Sequence, residues 1–165
     1  MIYFNESNRI FTLQTKNSTY QIKVDKYNFL SHIYYGNKIS EGEMDYLIKE
    51  NSIVFTVNPA EAEDRGFSLE TLPQEYSSCG IGDYRISSIN VTDYNGARIF
   101  SPKFIGYKIN NGIKKIDGMP HIYENKDKPK TLEIYLKDFT SNLEIALNYT
   151  IIYDKDIIAR SATFK

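Results

Sequence analysis

An all-β fold, two antiparallel sheets packed face to face, is what this sequence predicts, and three observations carry it. Apolar residues recur at every second position over several runs, the period that puts one set of side chains on one face of a strand. Two Asn-Gly dipeptides, Asn95-Gly96 and Asn111-Gly112, punctuate those runs. Both residue types tolerate the positive φ that a tight hairpin turn requires. Tyr and Phe are abundant, with 14 and 9 copies, and both are ordinary strand residues.

The first clear strand is Tyr20, Ile22 and Val24 alternating with Gln21, Lys23 and Asp25. Residues 41–49 are the only stretch suited to a short helix, with few apolar residues to anchor it. Residues 58–66, opened by Pro59 and rich in Glu and Asp, read as an irregular loop. Asn95-Gly96 is expected to join strands over 85–92 and 97–100, and Asn111-Gly112 to join strands over 104–109 and 113–116. Residues 125–130 read as a solvated loop. The end of the chain is the most regular part. Leu132, Ile134 and Leu136 alternate with Glu133, Tyr135 and Lys137, and Leu143, Ile145, Leu147, Tyr149, Ile151 and Tyr153 continue the pattern. A last run over 157–164 follows Asp154-Lys155-Asp156. The short polar breaks predict an antiparallel meander. About ten to thirteen strands are expected, enough for a two-sheet sandwich.

Composition narrows the function. A chain of 165 residues fits one domain. With 41% hydrophobic and 25% charged residues it is globular rather than disordered. A net charge of −1 lacks the basic field that a nucleic-acid backbone needs. Cys79 is the single cysteine, so no internal disulfide can form. The first residues have no basic stretch leading into an apolar one, and no apolar run reaches membrane-spanning length, so the sequence predicts a cytoplasmic protein without a membrane partner. His32 and His121 stand far apart with no clustered ligand spacing, so no metal and no other cofactor is expected. Gly80-Ile-Gly82 is half of a dinucleotide fingerprint, but it leads towards Tyr84-Arg85-Ile86, read as a strand rather than a helix, so a nucleotide cofactor is rejected. Nothing marks a nucleophile. Acidic residues are plentiful, yet spacing alone assigns no carboxylate pair to catalysis.

One stretch is more specific. Phe67-Ser-Leu-Glu-Thr-Leu-Pro-Gln-Glu-Tyr76, followed by Gly80-Ile-Gly-Asp-Tyr-Arg85, resembles a signature in the N-terminal domain of glycoside hydrolase family 36, the α-galactosidases or melibiases. His32-Ile-Tyr-Tyr-Gly36, Gly118-Met-Pro120, Leu147-Asn-Tyr-Thr150 and Ile158-Ala-Arg-Ser161 match the same family in order along nearly the whole chain. Ser77 stands where many members have Pro, and Tyr84 where many have Phe. The resemblance implies a β-supersandwich of the galactose-mutarotase-like type spanning residues 1–165. It implies a larger retaining enzyme whose catalytic (β/α)₈ barrel follows, so no catalytic residue is expected in this chain. It also implies a homo-oligomer, a tetramer in some members, in which the sandwich approaches a neighbouring subunit's sugar site. Asp64 and Arg65, just before the signature, are the residues expected to bind α-galactoside substrate across that boundary. The alternative is a freestanding carbohydrate-binding sandwich.

Overall fold

The computed structural model describes residues 1–40, 42–49, 67–121 and 128–165. Four strands, β1 (Ile2–Asn5), β2 (Ile10–Gln14), β3 (Ser18–Val24) and β4 (Leu30–Asn37), form one antiparallel sheet in chain order. Four more, β5 (Lys103–Asn111), β6 (Lys130–Lys137), β7 (Glu144–Ile152) and β8 (Ile157–Phe164), form the second in the same way. The architecture is the predicted all-β sandwich.

The core lies between the sheets because alternation on each strand aims one apolar set inward. Phe11, Leu13, Ile22, Val24 and Leu30 of the first sheet meet Leu132, Ile134, Leu136, Ile145 and Leu147 of the second in one buried cluster. The register agrees: Leu132 pairs with Tyr149, Ile134 with Leu147 and Leu136 with Ile145. A one-residue slip would turn every one of these side chains to the other face. Asp156, at φ 54°, closes the turn between β7 and β8 in the left-handed region, which Asp tolerates better than most residues. A smaller cluster of Phe29, Phe67, Leu69 and Leu72 seats the 67–72 segment against the rest of the fold.

Three expectations are corrected. Where a short helix was expected over 41–49, the described residues 42–49 hold a 3-10 turn, Asp45–Leu47, with no buried residue in it to anchor a longer helix. Residues 85–92 and 97–100 make no strands, although the turn between them forms. Asp93 Oδ1 accepts the N–H groups of Asn95 and Ala97, and the Asp93 N–H donates to Ala97 O. Ile89 and Val91 pack on the core and Phe100 is buried in it, so side chains rather than a backbone ladder fasten this arm. Residues 113–116 also stay out of the sheet. Asn111 pairs with Lys130 of β6, and the Lys114 N–H turns to Thr150 Oγ1 instead of entering a ladder with β5. The eight strands among the described residues therefore fall short of the ten to thirteen expected.

Candidate functional site

The polar feature of greatest consequence is built around Glu75. Residues 73–75 run antiparallel beside β4 through one isolated bridge: the His32 N–H donates to Pro73 O, the Glu75 N–H donates to Leu30 O, and Ser31 bridges to Gln74. This pins the Glu75 side chain at one end of the interface between the sheets, with 1% of it exposed. A carboxylate there is tolerable only with its lone pairs filled. Tyr20 of β3 donates its hydroxyl to both oxygens, at 2.8 and 2.7 Å. Tyr149 of β7 donates to Oε1 at 2.7 Å, and Arg160 of β8 donates Nη2 to the same oxygen at 2.5 Å. His32 Nδ1 stands 3.4 Å from Oε2 without hydrogen-bond alignment. One carboxylate thus ties both sheets together.

A β-bulge shapes the mouth of this site. Gln21 pairs with Tyr34, but Ile22 pairs with His32, so β4 carries one extra residue at Ile33. Beyond the bulge, Tyr35 replaces Tyr34 on the face that holds Tyr20 and His32. The rings of Tyr20 and His32 lie 4.9 Å apart, and those of Tyr20 and Tyr35 5.6 Å. The Arg160 guanidinium sits over the rings of Tyr149 and Tyr20, 5.3 and 5.8 Å from their centroids. Above Glu75 opens a cavity of about 540 Å³, walled by His32, Tyr35, Gln74, Arg85, Ile86 and Arg160.

Arg85 enters from a second ion pair, in which only the Asp83 carboxylate is buried. Asp83 accepts Arg85 Nε at 2.9 Å and Nη2 at 2.8 Å, and it also accepts Gln74 Nε2. Nη2 reaches the carbonyls of Leu69 and Leu72 as well. The two halves of the 67–76 and 80–85 signature are therefore stitched to each other. Gly80, at φ 89°, lets the chain pass Ile99 so closely that a Cβ would fall 2.9 Å from its Cα.

The electrostatics follow from this geometry. Burial pushes Glu75 up, but His32, the Arg160 charge and the two tyrosine hydroxyls outweigh it and hold the carboxyl below its ordinary value. Burial, with Glu75 beside them, drives Tyr20 and Tyr149 well above the ordinary phenol value, so both remain donors. Burial likewise raises Asp83, but the bonds from Arg85 and Gln74 win and lower it.

Asp64 and Arg65, the residues expected to bind substrate, lie outside the described residues. The cluster at Glu75 was not read from the sequence. One signal was available: Tyr149 shares the inward face of Ile145 and Leu147, and a buried phenol needs a hydrogen-bond partner. His32 and His121 do not come together as ligands, and among the described residues no group of three or more His, Cys, Asp or Glu side chains is placed to hold a metal. Among the described residues no helix is long and apolar enough to cross a membrane. Cys79 donates its thiol to Arg98 O at 3.1 Å, in a loop and not beside a base.

With this fold in place, known proteins supply the family. The model of the glycosyl hydrolase family 36 N-terminal domain matches residues 28–165. The bifunctional alpha-galactosidase/sucrose kinase AgaSK of Mediterraneibacter gnavus is 38% identical over 165 residues, 99% of this chain and 18% of that protein. Alpha-galactosidase 1 of Pediococcus pentosaceus is 34% identical over 98% of this chain and 22% of its own length. The solved galactosidase domain of AgaSK superposes with a TM-score of 0.94 over 100% of this chain and 23% of that one. An AgaA variant from Geobacillus stearothermophilus, solved with raffinose, superposes with a TM-score of 0.86 at 32% identity over 94% of this chain and 22% of that one. The chain spans about a fifth of the length of these relatives. Its sequence match and its sandwich agree, and the chain belongs to the glycosyl hydrolase family 36 N-terminal domain family.

Proposed function

We propose that this chain is the non-catalytic N-terminal domain of a larger retaining α-galactosidase that releases terminal galactose from melibiose- and raffinose-type sugars. The observation that carries the reading is the family match over residues 28–165 together with 38% and 34% identity, over nearly the whole of this chain, to α-galactosidases about five times longer. In this reading the domain braces a following (β/α)₈ barrel, supports a cytoplasmic homo-oligomer and takes no part in bond cleavage. The experiment is a direct assay. The 165-residue chain is expected to leave p-nitrophenyl α-galactoside intact, while the full-length parent hydrolyses it with retention. Turnover by the pure short chain at a rate comparable to the parent's would overturn the division of labour. Calorimetric titration with melibiose tests the alternative of a freestanding sugar-binding module, which requires saturable heat from the short chain alone.

Asp64 and Arg65 extend the proposal to a neighbouring subunit's sugar site. A guanidinium presents a planar fork of donors to sugar hydroxyls, and a carboxylate accepts from them. Arg65→Ala in the parent is expected to lower kcat/KM about tenfold, near 1.4 kcal/mol of transition-state stabilisation, with the oligomer intact. Unchanged kinetics in an intact oligomer would return this pair to the solvated surface. Dissociation would make it an interface brace instead.

A further inference from the structure

The cavity above Glu75 has a surplus of charged donors. Glu75 already accepts from Tyr20, Tyr149 and Arg160, and Asp83 from Arg85 and Gln74. Asp83 accepts on both oxygens and Glu75 Oε1 accepts three bonds, which leaves Glu75 Oε2, held by Tyr20, as the least occupied acceptor in the wall. The guanidiniums are not consumed. Arg160 gives only Nη2 to Glu75, and no hydrogen bond runs from its Nη1 or Nε to a described residue. Arg85 uses Nε and Nη2 and leaves Nη1 without a hydrogen-bond partner among the described residues. Both side chains are close to half exposed, and both line the same cavity beside His32 and the 61%-exposed ring of Tyr35.

Donors without matching acceptors select an acceptor-rich ligand. A neutral polyol gains most where free acceptors receive its hydroxyl protons, and the charged acceptors here already hold donors. A carboxylate or phosphate needs only donors, and a guanidinium edge is the group that fits it best. The negative charges of Glu75 and Asp83 oppose such a ligand, but each is neutralised by the arginine directly upon it. We infer that this cavity is an oxyanion site, in which Arg85 and Arg160 receive one carboxylate or phosphate group between them.

Two sources supply that chemistry: a free small anion, or an acidic side chain from the rest of a longer parent chain. Arginine-selective modification with phenylglyoxal, mapped by mass spectrometry, tests the site and separates the sources without any substitution. In the 165-residue chain, inorganic phosphate or acetate is expected to slow modification of Arg85 and Arg160 at least about fivefold, with half the effect below about 10 mM. Arg98, outside the cavity, serves as the control and keeps its rate. If protection by phosphate persists in the full-length parent, the ligand is a free anion. If Arg85 and Arg160 resist modification in the parent without added anion, a parent carboxylate fills the site. Rates at Arg85 and Arg160 that stay unchanged up to about 100 mM phosphate and acetate in the short chain would overturn the inference. That result leaves the galactosidase reading standing, since hydrolysis by the parent is scored separately.

Discussion

Glu75→Ala is expected to destabilise the chain by about 2–5 kcal/mol, since each buried polar group left without its partner costs about 1–3 kcal/mol. The substitution strips the common acceptor from Tyr20, Tyr149 and Arg160 at once. Two buried phenols then lose their partner, and a guanidinium lies over their rings with nothing to pair with. Because Tyr20 and Tyr149 come from different sheets, the loss falls on the contact between the sheets, so a cooperative drop is expected. At roughly 2–4 °C per kcal/mol for a domain of this size, the melting temperature falls by about 10 °C. Denaturant titration of wild type and variant reads the difference. A loss below about 1 kcal/mol would mean that the cluster is peripheral to stability.

The sign of the pH dependence follows from the depressed carboxyl. Glu75 titrates lower in the folded chain than in the unfolded chain. Its contribution is therefore fully present above the unfolded value of about 4.3 and is lost as pH falls through the lower folded value. Glu75→Gln keeps the shape without the charge. The stability gap between wild type and Glu75→Gln is expected to be constant near neutrality and to shrink below about pH 4.3.

Leu147→Ala is the second large effect, with an expected cost of about 2–5 kcal/mol. Leu147 is 3% exposed in the middle of β7, opposite Ile134 on β6 and Ala162 on β8. Its neighbours are held by two ladders and cannot collapse far into the space left, which places the cost towards the upper part of that range. Ala146, the next residue, pairs with Tyr135 and Thr163 and points to the opposite face. A substitution at Ala146 to Ser is expected to change stability by less than about 1 kcal/mol. If Leu147→Ala costs under about 0.5 kcal/mol in denaturant titration, the inward face of β7 has been misassigned.

The sequence by itself determined the fold class and the inward-facing residues of its best strands. Period-two alternation is a local property, and Leu132 to Leu136 and Ile145 to Ile151 display it without reference to anything distant. The same local code misled over residues 85–100. There alternation serves side-chain anchors such as Val91 and Phe100 rather than a ladder, and a strand exists only if another strand is free to pair with it. The family signature was also legible, because residues 67–85 carry it contiguously. What it does in three dimensions was not. Glu75 meets Tyr20, Tyr149 and Arg160 from 55, 74 and 85 positions away. A bulge at Ile33, invisible in composition, decides that Tyr35 rather than Tyr34 joins them. Hydrogen-bond partners of a buried carboxylate are set by how two sheets close on each other, and only the tertiary structure brings those four side chains to one point.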